Sequence, residues 1–103
     1  MNQCIAERKL LFSLKGSTER YPFVVRIFAP SELAVGEVDF KFDKGTSVCR
    51  VQIDGLPDIT VEKVYGADSI QALELAVNVD PILKRLAKKY EFYFPTGEGY
   101  FDE

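Results

Sequence analysis

The sequence predicts an α+β fold in which an antiparallel β-meander of about five strands is covered on one face by one long C-terminal helix. Three observations support this prediction. Apolar and polar residues alternate along most of the first 65 residues, which is the period of half-buried strands. Residues 65–90 then change to helical spacing. The connections between the predicted strands are short, which favours sequential antiparallel neighbours.

The first two strands are predicted over residues 5–14 and 21–29. In the first, Ala6, Leu10 and Phe12 share one parity, and mostly polar residues share the other. A Lys-Gly-Ser-Thr turn separates the two strands. The second strand is apolar on both sides, so we expect it to be central or covered on both faces.

The most regular alternation of the chain lies in residues 37–43 and predicts the third strand. Val38, Phe40 and Phe42 have one parity and charged residues have the other, as in a strand with one buried face. A hairpin turn is predicted to follow it. The remaining predicted strands are a fourth with Cys49, Val51 and Ile53 inward, and a fifth over residues 59–65.

The helix is predicted to begin after Asp68, which acts as N-cap, with Gln71 completing a capping box. Pro81 interrupts it, and Asp80 before that proline is itself a suitable N-cap, so we expect a kinked helix or two abutting helices. The face predicted to be buried consists of Ile70, Leu73, Ala76 and Val77. A short final strand over residues 91–94 is a further possibility.

The composition is that of one soluble globular domain over residues 1–103, with residues 95–103 as a tail or an edge segment. Apolar residues make up 47% and charged residues 28%. No apolar run approaches the roughly 18 residues that cross a bilayer. The N-terminus lacks the features of a secretory signal, so we expect a cytoplasmic location without membrane attachment.

The chemistry of the side chains argues against an enzyme. Histidine is absent, so the usual base of nucleophilic catalysis and the usual zinc ligand are missing. Cys49 has the inward parity of a strand, where a thiol fills space, and Cys4 lies far from it in sequence. Asp54 and Asp58 flank a Gly-Leu-Pro turn, where acids commonly cap the backbone. We therefore predict no catalytic residue, metal or cofactor.

Three short motifs occur in a fixed order: Ala6-Glu7-Arg8, Ile53-Asp54-Gly55, and a Tyr-Gly-x-Asp-Ser-x-Gln-Ala-Leu run over residues 65–73. Together they resemble a family of small uncharacterised bacterial domains over residues 5–86. That family has no established activity, so the resemblance implies a fold and a bacterial origin only.

Arg8 has the same parity on its strand as Ala6 and Leu10, so its side chain is expected to point toward the covered face. A guanidinium that loses water there needs a partner such as a carboxylate to offset the cost. Asp54 and Asp68, near strand and helix ends, are the candidates for a structural ion pair. Alternatively, Arg8 extends over the sheet with its charge in water, or it binds a ligand. A basic stripe on the last helical turns is either a solvated face or an RNA-binding patch, and comprises Lys84, Arg85, Lys88 and Lys89.

The C-terminal segment mixes aromatic and acidic residues, and we regard it as the candidate interaction surface. Its aromatic side chains are either exposed for a partner or folded back onto the sheet. The candidate interaction residues are Tyr93, Phe94, Tyr100, Phe101 and Asp102.

The leading functional hypothesis is a non-enzymatic protein-interaction module, such as an immunity- or antitoxin-type protein that binds a basic toxin. The net charge of this chain, −3, favours binding to a basic protein and disfavours binding to nucleic acid. One alternative is a small-molecule-binding or catalytic domain with carboxylates and Arg8 in a pocket between sheet and helix. Another is weak RNA binding through the basic helix end. Homodimerisation stays open.

Overall fold

The computed structural model describes residues 3–58 and 60–101, and the observed order of elements confirms the α+β class. Two helices, α1 (Ser69–Val77) and α2 (Asp80–Leu86), lie between the fifth and sixth strands. Within the described ranges, no helix is both long enough and apolar enough to cross a membrane. The strands are β1 (Cys4–Leu14), β2 (Tyr21–Phe28), β3 (Ser31–Glu32), β4 (Ser47–Asp54), β5 (Thr60–Gly66) and β6 (Tyr90–Tyr93).

The strands form one antiparallel sheet in which β1, β2, β4 and β5 lie side by side in chain order, as in a meander. β1 pairs with β2, β2 with β4, and β4 with β5. β6 returns from the helices to pair with the other edge of β1, so the predicted final strand is present. The two-residue β3 pairs with the start of β4, whereas β2 pairs with its end.

The prediction of a strand over residues 37–43 is wrong, because this segment is irregular. Both edges of β4 are already paired, one with β5 and the other with β2 and β3, so the segment cannot pair with β4. Phe40 instead makes an edge-on contact with Tyr65 of β5, with ring centroids 5.3 Å apart. The segment therefore packs against the face of β5 that carries Tyr65, and Phe40 stays 48% exposed.

The hydrophobic core lies between the helices and one face of the sheet, which we call the inner face. Alternate residues of β1, β2 and β4 point into it, so the period-two pattern of these strands is explained by burial on this side. Cys49 is fully buried there, as predicted for a space-filling thiol. Besides Tyr90 and Phe92 of β6, the core residues from the strands include Leu10, Phe12, Phe23, Val25, Ile27, Val51 and Ile53.

The helical region consists of two short helices, so the alternative of two abutting helices is confirmed and the single long kinked helix is wrong. α1 ends at Val77, four residues before Pro81. The ring of Pro81 excludes the carbonyl group four residues earlier, and proline has no N–H to donate to it. Pro81 then stands in the first turn of α2, where its missing N–H costs little.

Candidate functional site

α1 approaches the sheet through its smallest side chains. Ala72 is fully buried and Ala76 is 1% exposed, and both belong to the core. Gly66, the last residue of β5, makes this approach possible, because a Cβ atom there would lie 2.8 Å from the Cα of Ala72. The helix begins immediately afterwards, with the Asp68 carboxylate accepting from the backbone N–H of Gln71 at 2.8 Å.

The large apolar side chains of α1 consequently lie beside the buried face and not on it. At about 100° per residue, Ile70, Leu73 and Val77 fall within roughly 60° of one another, and we call them the apolar flank. Leu73 is half-buried, but Ile70 is 76% exposed and Val77 is 50% exposed. The predicted burial of Ile70 and Val77 is therefore wrong.

The segment that contains the apolar flank carries only negative charge. Residues 68–80 contain Asp68, Glu74 and Asp80 but no lysine or arginine. Asp68, Glu74 and Asp80 are all exposed. A helix whose own segment carries only carboxylates favours a ligand surface that carries positive charge.

A pocket opens where α1 ends, between the inner face of the sheet and the junction of the two helices. Its volume is about 120 Å³. Ala6 and Arg8 of β1 line one side, and Val77 and Val79 line the helical side. We call it the Arg8 pocket. Val77 belongs to both this pocket and the apolar flank, so the two features are continuous.

Arg8 reaches from this pocket to the C-terminal segment. Its guanidinium donates to the Tyr100 hydroxyl at 2.5 Å, and that hydroxyl donates to the Asp80 carboxylate at 2.5 Å. Burial is the main cause that raises the pKa of Tyr100, and the hydrogen bond to Asp80 raises it further. The phenol therefore stays protonated and links β1 to α2.

The predicted structural ion pair does not form among the described residues. Arg8 contacts Tyr100 in place of a carboxylate, because it lies where the C-terminal segment crosses the inner face. Asp54 instead forms an ion pair with Arg26. Asp68 is occupied as the N-cap of α1. The three residues of that prediction thus belong to separate contacts.

The C-terminal aromatic residues fold back and are only partly available to a partner. Tyr100 and Phe101 pack against the hydrophobic core and contact each other edge-on at 4.9 Å. Phe94 stacks beside Tyr100 but is 39% exposed. Asp102 lies outside the described residues.

Tyr93 is engaged on the opposite, outer face of the sheet. Its hydroxyl bonds with the Ser13 hydroxyl at 3.0 Å and donates to Glu91 at 2.8 Å. The Arg20 guanidinium lies over its ring, 3.7 Å from the centroid. Tyr93 is therefore a structural residue of β6 more than a free contact for a partner.

The basic stripe, which lies on α2 and on the turn after it, is partly neutralised by neighbouring carboxylates. Arg85 forms an ion pair with Glu62 at 2.7 Å, and Lys89 lies 3.8 Å from Asp58. No cluster of three or more His, Cys, Asp or Glu side chains suited to a metal occurs within residues 3–58 and 60–101.

Comparison with family models matches residues 6–87 to a domain of unknown function, DUF6968. The chain belongs to the DUF6968 family. This match confirms the resemblance inferred from the order of the three motifs. Neither the curated proteins nor the solved structures yield a match.

The motifs of this DUF6968 chain have structural roles in the fold. Gly66, Asp68 and Gln71 build the junction between β5 and α1, and the Gln71 side chain accepts from the Ala67 backbone at 2.6 Å. Gly55 has a positive φ, and a Cβ there would lie 2.9 Å from the Cα of Phe23.

Sequence reasoning missed the apolar flank of this DUF6968 domain, whereas a pocket between sheet and helix that involves Arg8 was one of its alternatives. One signal was present: Ala72 and Ala76 are four residues apart, and Gly66 precedes them. Small residues at that spacing let a helix lie close to a sheet, which turns the larger side chains sideways.

Proposed function

We propose that this chain is a non-enzymatic protein-interaction module of the bacterial cytoplasm, and that it binds a basic partner protein through the apolar flank of α1. The observation that carries the proposal is the 76% exposure of Ile70 within this flank. Burying a side chain of this size against a partner contributes about 1.5–3 kcal/mol. A helix flank of this kind fits an apolar groove on a partner.

The partner's chemistry follows from the charges around the flank. Residues 68–80 carry three acidic and no basic residues, and the whole chain has a net charge of −3. Such a surface steers a basic partner toward it and repels acidic ones. An immunity- or antitoxin-type protein that binds a basic toxin has these properties. The exposed ring of Phe94 is a secondary candidate contact.

The proposal is tested by affinity purification from the native host with two matched variants. Ile70→Glu places a charge in the apolar flank, and Val35→Glu makes the same kind of change at a loop position that is 97% exposed. Ile70 lies in the first turn of α1, where an acid suits the helix dipole, so neither variant should lower the melting temperature.

The expected result is a basic protein that co-purifies with the wild type and with Val35→Glu but is lost with Ile70→Glu. The recovered protein is then purified and must bind directly. Equal recovery with both variants would refute the assignment of the flank. If the wild type is a homodimer, Ile70→Glu converts it to a monomer and no other partner is affected, the flank binds a second copy of the chain and not a basic partner protein.

A further inference from the structure

We propose that the Arg8 pocket is a binding site for a short aliphatic carboxylate, with the Arg8 guanidinium holding the carboxylate and the pocket holding the aliphatic body. This site goes beyond the protein-binding flank of α1. It assigns a ligand class to a cavity that adjoins the flank through Val77.

The lining of the pocket selects an aliphatic ligand. Apart from Arg8 and Glu7, the residues that line it are Ala6, Val25, Ile27, Val77 and Val79. All five have small or branched aliphatic side chains. A ligand body of the same kind replaces water there without leaving a polar group unpaired.

The volume limits the size of the ligand. About 120 Å³ is smaller than a cavity of about 150 Å³ that accepts benzene, and well below the several hundred Å³ of a drug-sized site. The pocket therefore has room for a body of a few carbon atoms. Larger ligands would have to extend out through its open side.

Arg8 supplies the charge that recognises a carboxylate. Among the described residues it has no ion pair, and its one hydrogen bond goes to the Tyr100 hydroxyl. A guanidinium has five N–H donors, so donors remain for a bidentate contact with a carboxylate. Tyr100 holds the side chain in place from the other side.

The neighbouring carboxylates do not occupy this position. Glu7 has the opposite parity on β1, and its carboxylate lies 3.5 Å from Arg26 Nε and 4.0 Å from Lys9 Nζ. Asp80 reaches Arg8 only through the Tyr100 hydroxyl. Neither acid therefore satisfies the remaining guanidinium donors directly.

The test uses isovalerate, a short branched acid, and follows backbone amide shifts by NMR on the full chain. Saturable shifts should appear at Ala6, Val25 and Val77. Its neutral amide, isovaleramide, tests the need for charge, and acetate tests the need for an aliphatic body. A peptide that ends in a free leucine, compared with its C-terminal amide, distinguishes a protein terminus from a free acid as the source of the carboxylate.

Variants separate the two halves of the site. Arg8→Gln should weaken isovalerate binding about tenfold, because a charge-assisted hydrogen bond is lost. Arg8→Lys should fall between it and the wild type. Ala6→Leu fills the pocket and should abolish binding without changing the charge. Lys9→Gln removes an exposed cation of the opposite parity and should have no effect, which controls for nonspecific attraction.

The proposal is overturned if isovalerate produces no saturable shifts, if acetate binds equally well, or if Arg8→Gln leaves the affinity unchanged in a folded protein. If the peptide with a free C-terminus binds more tightly than isovalerate and than its own C-terminal amide, the site is the same but its ligand is the terminus of a protein. Ile70→Glu should leave isovalerate binding intact, so failure of this site and failure of the protein-binding flank are distinguishable.

Discussion

Tyr100 connects three parts of the molecule at the level of one side chain. Its hydroxyl accepts a hydrogen bond from Arg8 of β1 and donates one to Asp80 of α2, while its ring packs on the core. This contact was not predicted, because the three residues are far apart in the chain and the predicted partner of Arg8 was a carboxylate.

Replacement of Tyr100 by phenylalanine tests this link through pH. Burial, together with the hydrogen bond to Asp80, raises the pKa of Tyr100 from 10.0, so the folded state holds the phenolic proton more tightly than the unfolded state. Its stabilising contribution is complete below the unfolded pKa and is lost as the pH rises through the folded pKa. In urea unfolding, the wild type should therefore lose stability relative to Tyr100→Phe as the pH rises above about 10, the pKa of an unperturbed tyrosine.

At neutral pH, Tyr100→Phe should be the less stable protein by about 1–2 kcal/mol, because two hydrogen bonds are removed. The other tyrosines are present in both proteins and cancel in the comparison. If the free energies of unfolding of the wild type and Tyr100→Phe change in parallel across the alkaline pH range, the Tyr100 hydroxyl does not contribute as described.

Gly66 is a second residue on which the fold depends, since α1 begins directly against it. A methyl group there would lie 2.8 Å from the Ala72 Cα and closer still to its amide nitrogen. Gly66→Ala should therefore destabilise the protein by about 1–3 kcal/mol or more. Gly99→Ala is the control, because its nearest neighbour lies 3.7 Å away and its φ is not positive. Similar melting temperatures for the two variants would contradict the close approach of α1.

The helix α1 is oriented with its alanines toward the sheet and Ile70 toward solvent, and two substitutions test this orientation. Ala76→Leu should cost about 1–3 kcal/mol, because a larger side chain does not fit beneath the helix. Ile70→Ser should change stability by no more than about 0.5 kcal/mol, because the position is exposed. Chemical denaturation of both variants measures this difference. The reverse ranking would mean that Ile70 faces the sheet.

The elements show where sequence reasoning succeeds and where it stops. The start of α1 at Asp68 and the break before Pro81 follow from local chemistry, and both are confirmed. The strand predicted over residues 37–43 fails because alternation is local, whereas a strand also needs a free edge on its neighbour. The orientation of α1 depends likewise on what lies beneath it.

The candidate site was predictable only in part, for the same reason. Arg8 was identified from its parity, but its contact with Tyr100 depends on the return of the chain through β6. The aromatic segment was identified from composition. Its partial burial follows from backbone pairing, in which the Tyr100 N–H donates to the Phe92 carbonyl at 2.9 Å. Neither contact leaves a periodic signal in the sequence.

At the level of the whole molecule, the segment that carries the apolar flank has acidic residues and no basic ones. Residues 68–80 include three acidic residues and no basic residue, and the whole chain has a net charge of −3. Binding of the basic partner should therefore weaken as salt rises, because exposed charges are screened beyond about 8–10 Å at physiological ionic strength. Glu74→Gln should reduce this salt dependence, and an association rate that is indifferent to salt would contradict steering by charge.

Site-specific photocrosslinking in the native host shows whether the apolar flank contacts a partner. A photoreactive phenylalanine derivative replaces Ile70 in one strain and Val35 in another, and the products are compared after illumination. We expect a discrete crosslink to one basic protein from position 70 and none from position 35. The same products from both positions, or a crosslink at position 70 only to acidic proteins, would contradict it.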